Sequence, residues 1–372
     1  MKRAPNAGQP ESAVLPPLFD GWIGALLPGP IPRETKATCG ACAMWPKPGE
    51  ARDAERHYAE ETKCCTFLPA LANFLVGGAL DDRDPSASHG RATVEERIGR
   101  GVGVTPFGLE RTPVYSALYR SSPLAFGRAK AMRCPHYLEE EGGLCGVWRH
   151  RESTCATWFC KYERGEVGRL FWQRVHDLLA AVELALARHC VLSLEFDAAS
   201  LAALFPSRMR KSLSATHDGL SAADLDGVVA PAHFAALWGP WLGREREFYS
   251  KCRAIVEGLA WSEIASLGGS EIELLARLLK DAYVALTSAE LPARLERRSL
   301  KIVYSSPDRA EIVGYSDLDA LRVPKELVEV LHCFDGGDTR ETIERISDEH
   351  GLALTDSLVR TLVDFSILGA PR

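Results

Sequence analysis

The chain has 372 residues, 46% of them apolar and 25% charged, which gives apolar material for a sizeable core and two or three domains. Its 44 Lys and Arg stand against 50 Asp and Glu, a formal charge of −6, so general nucleic-acid binding is disfavoured for want of a phosphate-neutralising surface. Eleven cysteines are far too few for a disulfide scaffold.

The N-terminal stretch carries basic residues but no uninterrupted apolar core of a secretory signal. The most apolar helical stretch, Leu178 to Ala187, is interrupted by Glu183 and falls short of the roughly 18 residues of a membrane span. The expected location is the reducing cytoplasm, where thiols stay free. Residues 1–35 contain Pro5, Pro10, Pro16, Pro17, Pro28, Pro30 and Pro32, which predicts an extended arm. Residues 36–168 form a cysteine-rich domain with many Gly and Pro and few regular elements longer than the one near Phe67 to Leu80. From Arg169 the apolar positions Phe171, Val175, Leu178, Leu179, Val182 and Leu186 recur at helical spacing. Further helical patterns cover 198–206, 242–260 and 270–288, so 169–298 reads as a helical domain. In 299–372, two β-branched runs flank Pro307-Asp308 as a hairpin. Pro324 opens a helix closed by Phe334 to Gly337, and Asp338 with Glu341 makes a capping box for a second. A third helix from Thr355 to Phe365 and a last strand complete a small winged-helix pattern. The expected fold is mainly α, with an irregular Cys-rich metal-binding domain and a small α+β winged-helix domain at the C-terminus.

Eight cysteines fall between residues 39 and 160: Cys39, Cys42, Cys64, Cys65, Cys134, Cys145, Cys155 and Cys160. Cys39-Gly40-Ala41-Cys42 is a CxxC, the spacing that lets two sulfurs reach one metal from a tight turn. So many clustered thiols in a cytosolic chain point to metal binding or redox chemistry rather than to buried small residues. All-thiolate sites suit zinc and iron–sulfur clusters alike, and eight ligands make one or two sites. The neighbours Trp45, Tyr137, Trp148, Trp158 and Phe159 would shield a cluster or pack a zinc module equally well. The expected cofactor is an iron–sulfur cluster of the 4Fe-4S kind, with zinc as the alternative. Cys190, Cys252 and Cys333 read as core residues, with an extra ligand at Cys252, near Trp238 and Trp241, left open.

The succession of CxxC, CC, Cys134-x-x-Tyr137-Leu138, Cys145-x-x-Trp148-x-x-Arg151 and Cys155-x-x-x-x-Cys160 resembles the YkgJ-type cysteine-cluster family over residues 36–168. That resemblance implies a zinc- or iron-chelating domain with those eight thiols as ligands. Trp45 stands where the family's compact head has a third thiol, and Cys64-Cys65 arrives later. The FliB-like lysine N-methylases share the cysteine pattern. Resemblance to them implies an iron–sulfur cluster, S-adenosylmethionine and a protein lysine as substrate, although no S-adenosylmethionine motif is visible. The C-terminal segment resembles PqqD-like winged helices, which implies a peptide partner added as a strand at a sheet edge. Its third helix offers Arg360 against Asp356 and Asp364, so DNA reading is disfavoured.

Other groups receive plainer readings. His57, His89, His136 and His150 lie in the cysteine region; surface positions are expected for His136 and His150, with completion of a mixed thiolate–imidazole site as the alternative. Asp81-Asp82-Arg83-Asp84 and Glu139-Glu140-Glu141 read as solvated turns, and Gly99-x-Gly101-x-Gly103 as a turn without phosphate-loop character. Glu183 and Asp197 have no evident partner, and Lys161 to Arg164 reads as surface.

Overall fold

In the computed structural model, residues 14–46, 53, 56–139, 143–205 and 225–371 are described. They divide into two compact units built from discontinuous segments. The first contains Met1–Ile31, Cys39–Thr157 and His176–Ala276; the second contains Pro32–Thr38, Trp158–Val175 and Arg277–Arg372. These divisions differ from boundaries at 36, 169 and 299. Two long helices, Gly165–Ser193 and Trp261–Thr287, each contribute residues to both units, so changes of texture along the chain do not mark the units.

In the first unit, Pro17–Gly24 is a helix, which corrects the extended arm predicted there. Pro17 sits at its first position, where proline's fixed φ suits the helix and its missing N–H costs nothing. Phe19, Trp22 and Ile23 are buried on its inner face. Residues 1–13 of the expected arm lie outside the described residues. The helix Asn73–Asp81 is buried from Asn73 to Leu80 and packs on Glu245–Glu257, the core of the predicted 242–260 pattern. A Cβ on Gly77 would stand 2.0 Å from the Tyr249 carbonyl oxygen, so the two helices meet only because Gly77 has no side chain. The cysteine-rich stretch also holds Ser88–Arg100, a 13-residue helix that the sequence reading did not place, closed by Gly101 in the left-handed conformation. A small antiparallel sheet orders β1 (Leu71–Ala72), β3 (Gly108–Leu109) and β2 (Val104–Thr105), and β4 (Tyr137–Leu138) pairs with β5 (Leu144–Cys145). Of the predicted 198–206 helix, Ala198–Leu204 forms; position 206 is outside the described residues. Asp197 caps it by accepting from the Ser200 amide.

The predicted 270–288 helix is the C-terminal part of Trp261–Thr287, which kinks at Gly269 (φ 61°, ψ −149°) in the first unit, directly before Ser270, and continues into the second unit from Arg277. Strands β7 (Lys301–Ser305) and β8 (Arg309–Val313) form the expected hairpin, and β9 (Leu321–Pro324) pairs on the far side of β8. Helix Lys325–Val330 follows Pro324. The expected closing turn after it is instead β10 (Asp335–Asp338), which pairs with β6 (Arg294–Arg297); β11 (Leu368–Gly369) lies on the other side of β6. Helix Thr339–His350 is capped by Asp338, which accepts from Arg340 N and Glu341 N, and Asp356–Asp364 is capped by Thr355. Leu295, Ile312, Leu327, Phe334, Ile346, Leu362 and Ile367 are among the buried residues of one apolar cluster beneath these elements. No described helix is long and apolar enough to cross a membrane.

Candidate metal centre

Seven of the eight clustered cysteines belong to the first unit; Cys160 belongs to the second. Short hydrogen bonds tie their segments together. The Cys134 amide donates to the Cys65 carbonyl at 2.7 Å, and Cys145 stands opposite Tyr137 in the β4–β5 pair. Glu152 accepts from the amides of Thr154 and Cys155, fixing the start of helix Ser153–Thr157. The Ser153 amide and hydroxyl both donate to Glu183, at 2.8 and 2.9 Å. Glu183, read as lacking a partner, is thus an anchor for the turn that carries Cys155; burial, with Glu152 alongside, raises its carboxyl well above the usual range.

Two cations lie among these thiols. Arg151 donates through Nη2 to the Cys39 sulfur at 3.2 Å and through Nη1 to the Cys155 carbonyl at 3.4 Å. Cys39, Cys145 and Cys155 together hold its guanidinium charged against the cost of burial. Lys63 is 2% exposed and donates to the carbonyls of Cys39 (2.5 Å) and Gly143 (2.9 Å), with its ammonium 4.6 Å from the Trp45 ring centre. Its φ of 48° is a conformation that non-glycine residues adopt at a cost, and it immediately precedes Cys64-Cys65. Arg151 enters the sequence reading only as a position of the CxxWxxR motif and Lys63 not at all, because no local pattern marks a cation that lies among thiols.

The thiols also feel one another. Within the adjacent pair, Cys65 donates to Cys64, lowering the Cys64 thiol to about 7 with help from Arg151, while Cys65 itself is held well up. Burial raises Cys42 to about 11 and Cys134 to about 12, with Cys64 and Cys145, respectively, adding to the effect. Burial likewise lifts Cys155, and Glu152, Cys134 and Cys145 add to it. The fold therefore gathers seven thiols into one neighbourhood and places positive charge between them. Among the described residues, no group of three or more His, Cys, Asp or Glu side chains is placed to hold a metal ion. By donor chemistry alone, thiolates are the ligands that suit zinc and iron–sulfur clusters.

Several neighbours sit differently from the expectation. His136 is 1% exposed and His150 7%, which corrects the surface reading of both. His136 bonds through Nδ1 to the Thr93 hydroxyl at 2.7 Å, and burial pushes it down to about 3, so its ring is neutral. His150 Nε2 reaches Asp82 at 2.9 Å, and that bond lowers the Asp82 carboxyl to about 2. Asp82 is therefore a half-buried partner of His150 and not part of a solvated turn. Tyr137 and Trp148 are buried in this unit, as shielding residues would be. Cys190 and Cys252 are fully buried, and the Cys190 sulfur lies 3.6 Å from the Cys252 carbonyl. Glu139 pairs with Arg133 at 2.7 Å; Glu140 and Glu141 lie outside the described residues.

In the second unit, Tyr162 is buried and Arg164 grips Asp364 through two hydrogen bonds, which corrects the surface reading of Lys161 to Arg164. Trp158 is 38% exposed. Arg360 is occupied by the carbonyls of Ser288 and Glu290 and by Asp364. No protein-family model, curated protein or solved structure matches this chain.

Proposed function

We propose that the chain is a cytoplasmic iron–sulfur protein acting on a protein or peptide, by modification or by electron transfer. Cys39, Cys42, Cys64, Cys65, Cys134, Cys145 and Cys155 supply the thiolates of the first unit, and the eighth expected ligand is Cys160. The observation that carries the reading is the placement of Lys63 and Arg151 among these sulfurs. Gathered thiolates repel one another. Two cations beside them offset that charge, and Arg151 supplies an N–H donor to the Cys39 sulfur, an arrangement that tunes a cluster's potential. When bound, the cluster would supply one-electron chemistry; this chain's residues orient the thiols and restrict water.

The peptide part of the proposal draws support from β7. It is an edge strand, exposed at all five residues, with Ile302, Val303 and Tyr304 at 50, 42 and 54%. Such an edge offers unpaired backbone groups and apolar side chains to an extended partner. Lysine methylation from S-adenosylmethionine rests on the family resemblance alone. A second reading is a zinc-folded module without enzymatic activity, favoured by the very short elements around the thiols, which metal would stabilise.

The test is anaerobic purification with a visible spectrum and a count of iron, zinc and sulfide per chain. Broad visible absorption that bleaches with dithionite, lost in Cys134→Ser, supports the redox reading. A colourless protein holding zinc, unchanged by reconstitution with iron and sulfide, overturns it.

A further inference from the structure

The sequence places Cys333 in the core. In the fold it is only half-buried, at the end of the turn Leu331–Cys333, and two exposed imidazoles face it. The Cys333 sulfur is 3.8 Å from His332 Nε2 and 3.8 Å from His350 Nε2. The two rings are nearly perpendicular, at 86°, with centres 6.4 Å apart. His350 is the last residue of its helix, brought to Cys333 from 17 positions along the chain. His332 is held by a second contact: Nδ1 lies 2.7 Å from the Glu329 carbonyl. A carbonyl oxygen only accepts, so Nδ1 carries the proton and the Nε2 lone pair is presented towards sulfur. That bond, from one ring nitrogen to a backbone carbonyl, is the one that orients metal-ligating histidines. Arg345 donates to the Cys333 carbonyl at 2.9 Å and pins the turn from the other side.

We propose that His332, Cys333 and His350 form a surface site for one borderline-soft divalent cation of the zinc class, separate from the thiols of the first unit. One thiolate and two imidazole nitrogens suit zinc, and the fourth position would be left to water or to a donor on a bound partner. In a tetrahedral zinc site, sulfur and nitrogen ligands lie about 3.5 Å apart, so both contacts need to shorten by only ~0.3 Å. The rings need to approach each other by about 1 Å for both nitrogens to reach a tetrahedral ion. As they stand the three donors do not enclose an ion; His350, exposed at its helix end, supplies the approach by ring rotation, while His332 keeps its bond to the Glu329 carbonyl. Loading releases the thiol proton to solvent, as a thiolate ligand requires.

The test uses the full-length protein after its first-unit thiols have been reconstituted, dialysed against zinc alone. Wild type is expected to hold one zinc more than Cys333→Ser or His350→Asn, while His233→Asn, at an exposed histidine of the first unit, matches wild type. Ring signals of His332 and His350 should shift on zinc addition in wild type and stay fixed in Cys333→Ser. Cys134→Ser should keep this zinc whatever it loses elsewhere, so failure here is separable from failure of the iron–sulfur reading. Equal zinc content in wild type, Cys333→Ser and His350→Asn, with unmoved ring signals, overturns the site. Thermal unfolding and circular dichroism of each variant exclude loss through misfolding.

Discussion

The stretch around the clustered thiols and the C-terminal 80 residues hold their shape by different means. Between Cys39 and Cys155 the helices Asn73–Asp81 and Ser88–Arg100 are joined by two-residue strands and single turns, fixed by side chains that reach main-chain groups far along the chain: Lys63 to Gly143, Tyr137 to the Glu60 carbonyl, Arg111 to Leu68. Beyond Arg294 the chain forms strands and capped helices around one apolar cluster. In the second case the helices Thr339–His350 and Asp356–Asp364 each bury an apolar face and have capped first turns, so local signals and global packing agree there. In the first, the polar contacts are themselves the scaffold, and each buried cation needs its thiols and carbonyls in place.

This contrast can be broken most forcefully at Phe334, 2% exposed in the C-terminal cluster. Phe334→Ala should cost about 3–5 kcal/mol by urea unfolding. The metal content of the first-unit thiols should survive it; loss of both together would show that the two regions do not hold their shapes separately.

Glu34 tests polar burial within the second unit. It accepts from the Trp172 indole at 2.8 Å and from the Glu163 amide, and burial raises its carboxyl from 4.5 to about 7. The native state therefore keeps a proton that the unfolded chain releases above pH 4.5. Stability from this group is full below that pH, falls as pH rises through about 7, and is constant above. The fall amounts to about 3 kcal/mol. Glu34→Gln should remove that slope from urea midpoints measured across the same window; an unchanged slope would assign it to other groups.

In the first unit, Gly77→Ala should separate two helices that now touch and cost about 2 kcal/mol. Circular dichroism melting would read this as a lowered midpoint with helix content retained. The smallest effect belongs to a cap. Asp338→Ala should cost about 1 kcal/mol and fray Thr339–His350 from its first turn, seen as faster amide exchange at Arg340 and Glu341.

Much of the second unit could be read from its residues. Asp338 and Thr355 announce their helices, and Pro307-Asp308 joins β7 to β8. The exception, Asp335 to Asp338, looks like a helix-ending turn because its glycines say nothing of β6, some 40 residues earlier, which pairs with it. At the candidate centre the thiols themselves were legible, since their number and spacing have few other uses. Their surroundings were not.

The sequence by itself determined the helical periodicity from Phe171 to Leu186, the caps, the hairpin and the thiol set, because these depend on residues a few positions apart. Tertiary structure alone decided that His136 and His150 are buried, that Lys63 and Arg151 lie among sulfurs, and that Cys333 faces two imidazoles. A polar side chain's environment is set by what packs across from it. Asp82 and His150 are 68 positions apart, and Arg151 and Cys39 are 112, so no local pattern records either contact.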